Sequence, residues 1–170
     1  MRIIDSSKKI VELDLPDYIN LLSDLKQFKS SFFVSKYTVK RFLVPGEQDD
    51  DSMYLLHSMI NSTFMHSFNQ YLSVIDLENS FTRSKNYVVT WMQDGDHFIE
   101  HNDYDGKDID SFTLIAYLND DYLGGELVFK DGPALKPKAG SLLIFPSSLY
   151  HSVNNVTGDR YTIMVNMDRE

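Results

Sequence analysis

Two hydrophobic periods divide the chain. Before about residue 80 the apolar positions recur at helical spacing, and after it they alternate. Leu21, Leu22, Leu25 and Phe28 follow Pro16-Asp17 at spacings of three and four, which predicts a short amphipathic helix over 18–28. Residues 31–34 and 38–44 read as strands, closed by the Pro45-Gly46 turn. A longer helix follows. Asp49, Asp50 and Asp51 stand at its start, where the helix dipole favours negative charge. Its apolar face runs from Met53 through Leu56, Ile60, Phe64 and Phe68 to Ile75. Beyond residue 80, strands are predicted at 86–92, 111–119, 125–130, 140–146 and 160–168, with turn clusters such as Asp94-Gly95-Asp96 and Thr157-Gly158-Asp159 between them. Short strands with closely spaced turns predict a β-sandwich or barrel, and the long helix would cover one outer sheet. The fold class expected is mainly β with flanking helices (α+β).

Composition narrows the function classes. The 170 residues are 42% hydrophobic and 24% charged, which suits one globular domain. No long linker divides them, so one domain over 1–170 is expected: a helical support with short strands to residue 80, and a β core over 81–170. The net charge is -9, from 25 acids against 16 bases. The densest basic group is only Lys36, Lys40 and Arg41, which disfavours general nucleic-acid binding. Cysteine is absent, which removes disulfides, thiolate metal sites and cysteine nucleophiles. Residues 1–15 are charged throughout and carry no long apolar run. The expectation is a soluble cytoplasmic protein without signal peptide or membrane span; the pattern names no oligomeric state.

Of five histidines, His57 and His66 fall on the long helix and His97 in an acidic turn, where ordinary structural or solvated roles suffice. His101-Asn102-Asp103 is different. On an extended chain, residues two apart share a face, so an imidazole and a carboxylate can meet one cation. His151, after the apolar run 142–145, could supply a third ligand. Two imidazoles and a carboxylate form the facial triad of non-haem Fe(II) oxygenases. Hydrolytic zinc would use the same atoms plus a general base, and no HExxH helix is present. Arg160, Thr162, Met164 and Asn166 share one face of the last strand. An arginine turned into a barrel needs an anionic partner, and a carboxylate pairs it in two-pronged fashion. Thr113 and Tyr117 on strand 111–119 could place hydroxyls on the same anion. Singly, these residues would be a surface His and Asp, a solvated arginine and ordinary strand residues.

Longer motifs join them. The run from Trp91 through Gly95 and Phe98 to His101-Asn102-Asp103 resembles an aromatic, glycine, aromatic, HxD pattern. Residues 116–129, AYLNDDYLGGELVF, resemble a YLN…GGEL.F core. Residues 136–151, KPKAGSLLIFPSSLYH, resemble an approach to a distal histidine, and VTGDR at 156–160 a closing arginine turn. Together they resemble the 2-oxoglutarate- and Fe(II)-dependent dioxygenases of the prolyl 4-hydroxylase-like branch, nearest to the PKHD-type hydroxylases. The resemblance spans roughly 86–168. It implies a double-stranded β-helix (jelly roll) with the N-terminal helices packed on its outer sheet. It implies Fe(II) on His101, Asp103 and His151, and 2-oxoglutarate on Arg160, with Tyr117, Thr113, Trp91 and Asn166 as further co-substrate contacts. O2 would be the oxidant and ascorbate a reductant. Trp91 stands where the family often has tyrosine, which removes a hydroxyl, and many relatives use lysine in place of Arg160.

The implied reaction hydroxylates an unactivated C–H, first of all a prolyl or other side chain of a peptide or protein, as 2-oxoglutarate becomes succinate and CO2. The alternative substrate is a free amino acid or other small molecule. A nucleic-acid demethylase of the AlkB kind would carry an RxNxTxR run, and Arg160-Tyr-Thr-Ile-Met-Val-Asn lacks it. A cupin would carry HxH…E, which is missing. A non-catalytic jelly-roll binding module is the remaining alternative.

Overall fold

A computed structural model describes residues 1–15, 18–27, 33–34, 39–45, 51–78, 80–83, 86–103 and 111–169. In chain order, β1 (Arg2–Asp5) and β2 (Ile10–Asp14) form a hairpin. Helix α1 (Tyr18–Gln27), β3 (Phe33–Val34), β4 (Lys40–Pro45) and the long α2 (Asp51–Val74) follow. Next come β5 (Phe81–Arg83), β6 (Asn86–Met92), β7 (Phe98–His101), β8 (Phe112–Tyr117) and β9 (Leu123–Gly124). The chain ends with β10 (Leu127–Phe129), β11 (Ala134–Leu135), β12 (Ser141–Pro146), β13 (His151–Val153), β14 (Val156–Thr157) and β15 (Arg160–Arg169).

The strands form a double-stranded β-helix. The major sheet runs β1-β2-β12-β8-β15-β6-β4-β3, with β5 also on β15; the minor sheet runs β11-β10-β13-β7. Every pairing is antiparallel. Alternation decides which side chain goes where. Leu114 and Ala116 of β8, Leu142 and Ile144 of β12, and Ile163 and Val165 of β15 all face the helices. There they meet Leu21 and Leu25 of α1 and Ile60, Phe64 and Phe68 of α2. Their strand neighbours Ile115, Tyr117, Leu143 and Phe145 face the minor sheet, where Leu127, Phe129 and Val153 complete a second core. Strands buried on both faces leave no polar side, which is why β8 and β12 are nearly continuous apolar runs.

The helices and the long alternating strands lie where the sequence pattern puts them, except that Phe28, residues 31–32, Thr38, Gly46, Asp49 and Asp50 fall outside the described residues. The N-terminal hairpin differs. Residues 1–15 carry charge throughout, yet Val11, Leu13 and Leu15 are buried and β2 pairs with β12. Glu12 and Asp14 alternate with them. Strands β2, β3 and β4 thus belong to the major sheet, and the first 80 residues build part of the β core as well as its helical cover.

Candidate active site

Strands β7 and β13 are neighbours in the minor sheet, and His101 lies directly opposite His151. Between the two pairs His151↔His101 and Val153↔Phe98, β13 advances two residues and β7 three. The extra residue is a β-bulge, a device that re-aims side chains beside a site. It lets Phe98 and His101 both line the cavity, although three residues apart, and turns Ile99 outward to 71% exposure.

The imidazole rings stand 4.5 Å apart between centroids. Each Nδ1–H donates to the carbonyl two residues back: His101 to Ile99 at 2.8 Å, His151 to Leu149 at 2.9 Å. A carbonyl only accepts, so each Nδ1 holds its proton and each Nε2 presents a lone pair. Asp103 faces both lone pairs, with Oδ1 3.6 Å from His101 Nε2 and Oδ2 3.5 Å from His151 Nε2. One ligand atom from each residue lies within 4.8 Å of the other two. Burial holds the His151 imidazole below its ordinary pKa, while the Asp103 charge pulls the other way. A neutral imidazole is the form that ligates a metal.

Hydroxyls fix the carboxylate. Thr113 Oγ1 donates to Asp103 Oδ2 at 3.0 Å. Its one proton is then committed, so the buried Ser147 hydroxyl, 2.9 Å away, donates to Thr113. Ser147 also accepts the Asp103 N–H on its carbonyl at 3.0 Å. Asn166 stands 3.3 Å from the same threonine oxygen. This donor set, two oriented imidazole nitrogens and one anchored carboxylate, fits a divalent iron centre.

The triad opens on a cavity of about 400 Å³ between the sheets, lined also by Arg160, Thr162 and Met164 of β15 and by Thr90 of β6. Arg160 is 2% exposed, and no carboxylate pairs with it among the described residues. Its Nη1 donates only to the Met92 sulfur, at 3.1 Å, a weak acceptor. Its guanidinium sits 5.1 Å from the Tyr117 ring centroid and 5.9 Å from that of Tyr122. Burial pushes the Tyr117 phenol up to about 12, against the opposing pull of Arg160. The Gly124-Gly125 pair of the GGEL run makes this crowding possible. A Cβ on Gly125 would lie 2.9 Å from the Tyr122 ring and 3.1 Å from Arg160 Cδ, and both glycines have positive φ.

The structure thus brings His101, Asp103 and His151 together and puts Tyr117 beside Arg160. Thr113 and Asn166, expected at the co-substrate, stand instead at the Asp103 end of β8 and β15. Trp91 also departs from expectation: it faces the helix side of β6, stacks on Tyr161 and donates from Nε1 to Asp159 at 2.8 Å. The cause is the pleat, which sends Tyr87, Val89 and Trp91 to one face and Thr90 and Met92 to the other. Met92, Tyr122 and Ser147 escape the sequence reading. Parity along β6 could have found Met92; nothing in a turn sequence announces Tyr122 or Ser147.

Residues 86–168 match the model of the 2OG-Fe(II) oxygenase superfamily. This stretch is a 2OG-Fe(II) oxygenase domain. Its triad, within that fold, makes the protein a 2-oxoglutarate- and Fe(II)-dependent dioxygenase. The oxygenase is similar in structure to a prolyl hydroxylase from Trichoplax adhaerens, solved in complex with a hypoxia inducible factor oxygen degradation domain peptide fragment. The TM-score is 0.75 at 18% identity, over 95% of this chain and 84% of that one. It is also similar to a Pseudomonas putida prolyl-4-hydroxylase, with TM-score 0.70 and 18% identity over 97% and 95% of the chains. A third likeness is to SnoK, a non-heme alpha ketoglutarate dependent carbocyclase from nogalamycin biosynthesis, with TM-score 0.70 and 11% identity over 95% and 79%. No curated protein sequence matches the oxygenase. Among its described residues no helix is long and apolar enough to cross a membrane.

Proposed function

We propose that this chain is, over residues 1–170, one catalytic domain that hydroxylates a side chain of a peptide or protein, with proline the first candidate. The observation that carries the reading is the convergence of His101, Asp103 and His151 on a cavity that also contains a buried arginine without a carboxylate. The fold shared with two prolyl hydroxylases supports proline and a peptide-borne substrate. PKHD-type hydroxylases remain the nearest branch by motif. We place it in the cytoplasm, whose reducing conditions suit a sequence without cysteine.

In this reading His101 Nε2, His151 Nε2 and an Asp103 oxygen would hold Fe(II). When bound, Fe(II) with 2-oxoglutarate and O2 supplies C–H hydroxylation: R–H, O2 and 2-oxoglutarate give R–OH, succinate and CO2. The two backbone carbonyls fix both imidazole tautomers before any metal arrives. Thr113 and Ser147 hold the carboxylate rotamer, so little side-chain entropy is lost on loading. Arg160 would pair with the distal carboxylate of 2-oxoglutarate, a charge-assisted contact worth about 1.5–3 kcal/mol, with Tyr117 donating beside it. Ile115, Leu127 and Met164 form an apolar wall that excludes water from the reacting C–H.

The test is succinate release from purified protein supplied with Fe(II), 2-oxoglutarate and ascorbate, across a peptide panel and free amino acids. Expected is peptide-dependent succinate, a product 16 Da heavier, and no turnover without iron or in His101→Ala and Asp103→Ala. Wild-type turnover in either variant overturns the ligand assignment. A free amino acid is the second reading, favoured by a cavity of about 400 Å³, within the range of small-molecule sites. Succinate formed only with free amino acids would establish it.

A further inference from the structure

Buried polar groups in folded proteins nearly always find partners. Three at or beside Arg160, which lines the cavity, have none among the described residues: Arg160 Nε, the Tyr117 hydroxyl and the Tyr122 hydroxyl. All belong to residues that are at most 3% exposed. All three are donors: a guanidinium N–H cannot accept, and each phenol has a proton to give. Among the described residues no oxygen stands in hydrogen-bond geometry to accept from any of them; the guanidinium has a thioether as its hydrogen-bond acceptor and the two phenol rings beside it. Three unpaired donors around one positive charge describe the negative image of a carboxylate, which offers about four lone pairs in a plane.

Tyr117 lies on the inner face of β8. Tyr122 comes from a different element, the turn before β9, and is held from three sides. Its ring lies against the position that Gly125 leaves without a side chain. The Lys136 ammonium lies 4.8 Å over that ring and donates to the Tyr122 carbonyl at 2.6 Å. Burial pushes the Tyr122 phenol up, and the Arg160 charge opposes it, so the proton stays on the oxygen at neutral pH. A protonated phenol of fixed position next to a cation is a donor waiting for an anion.

We propose that Tyr122 is a second phenolic donor to the distal carboxylate of the 2-oxo diacid, so that Tyr117, Tyr122 and Arg160 together select a dicarboxylate. The inference rests on the dioxygenase reading and adds to it a residue from outside the jelly-roll strands. It predicts strong discrimination between 2-oxoglutarate and a 2-oxo acid with the same chelating end and no distal carboxylate.

The experiment is calorimetric titration, without O2, of the full chain loaded with Fe(II), so that binding is read apart from turnover. The ligands are 2-oxoglutarate and 2-oxobutyrate, titrated into wild type and Tyr122→Phe. Phenylalanine keeps the ring and removes only the hydroxyl. The expected result is a dissociation constant for 2-oxoglutarate raised about tenfold or more, with that for 2-oxobutyrate within twofold of wild type. Unchanged 2-oxoglutarate binding in the variant overturns the role of Tyr122 and leaves the dioxygenase reading standing. Equal weakening of both ligands also overturns it, because the loss then lies in the fold or the chelating end. A wild type that binds neither acid overturns the inference and the reading beneath it together.

Discussion

Thr113 shows how one hydroxyl can serve a site it does not touch. Its proton goes to Asp103 Oδ2, and its oxygen takes the proton of Ser147. Such supporting contacts commonly govern metal affinity by 10- to 100-fold. Thr113→Val keeps the shape and deletes the proton, so Fe(II) affinity is expected to fall by about that factor. The 2-oxoglutarate requirement at saturating iron should stay within twofold, and Thr113→Ser should restore iron binding. Iron titrations on the three proteins check this; equal losses for iron and 2-oxoglutarate would place Thr113 at the co-substrate after all. The three convergent residues were legible through motif and through the short His101-to-Asp103 spacing, which on an extended chain favours a shared face. The sequence misplaced Trp91 because a motif fixes order along the chain, while the pleat fixes direction, and one residue of offset reverses the face.

At the scale of elements, the strands most legible in sequence are those with a long alternating run: β6, β8, β12 and β15. Strands β9, β11 and β14 have two residues each and carry no period at all. Strand β2 does alternate, but its partner β12 lies more than a hundred residues away, so only the folded chain explains its apolar side. The bulge in β7 hides that strand in another way, by exposing Ile99 where simple alternation would place it with His101. Between α2 and β5, the Arg83 guanidinium donates to His57 Nε2 at 3.0 Å, which requires a neutral imidazole. Burial, and then Arg83, hold the His57 pKa below its ordinary value. The unfolded chain therefore binds the proton first as pH falls, and the stability from this contact is present above about pH 6.5 and lost below it. Thermal melts should show the melting temperature falling from pH 7 towards pH 5.5, and less steeply in His57→Gln. Parallel slopes for the two proteins would remove His57 as the cause.

For the molecule as a whole, the cavity is framed by both sheets, so its occupants bind the folded state and not the unfolded chain. Ligand at a hundred times its dissociation constant adds about 2.7 kcal/mol. For a chain of this length that corresponds to a rise in melting temperature of about 5–10 °C. Fe(II) with 2-oxoglutarate, under nitrogen, is expected to produce such a rise, and a chelator to reverse it. A melting temperature indifferent to both would mean that the cavity does not take them. The major sheet draws its strands from residues 2 to 169 of the chain. The edge near residue 80 in the hydrophobic pattern marks a change of period and no division of the core.

The opposed placement of His101 and His151 has one more implication. An ion gripped by both would rivet two neighbouring strands that a short backbone ladder already joins. A chain assembled one residue out of step would send one imidazole to the solvent side and offer no socket. Loading with metal would then act as an inspection of assembly, accepting only molecules whose smaller sheet has closed in the correct alignment.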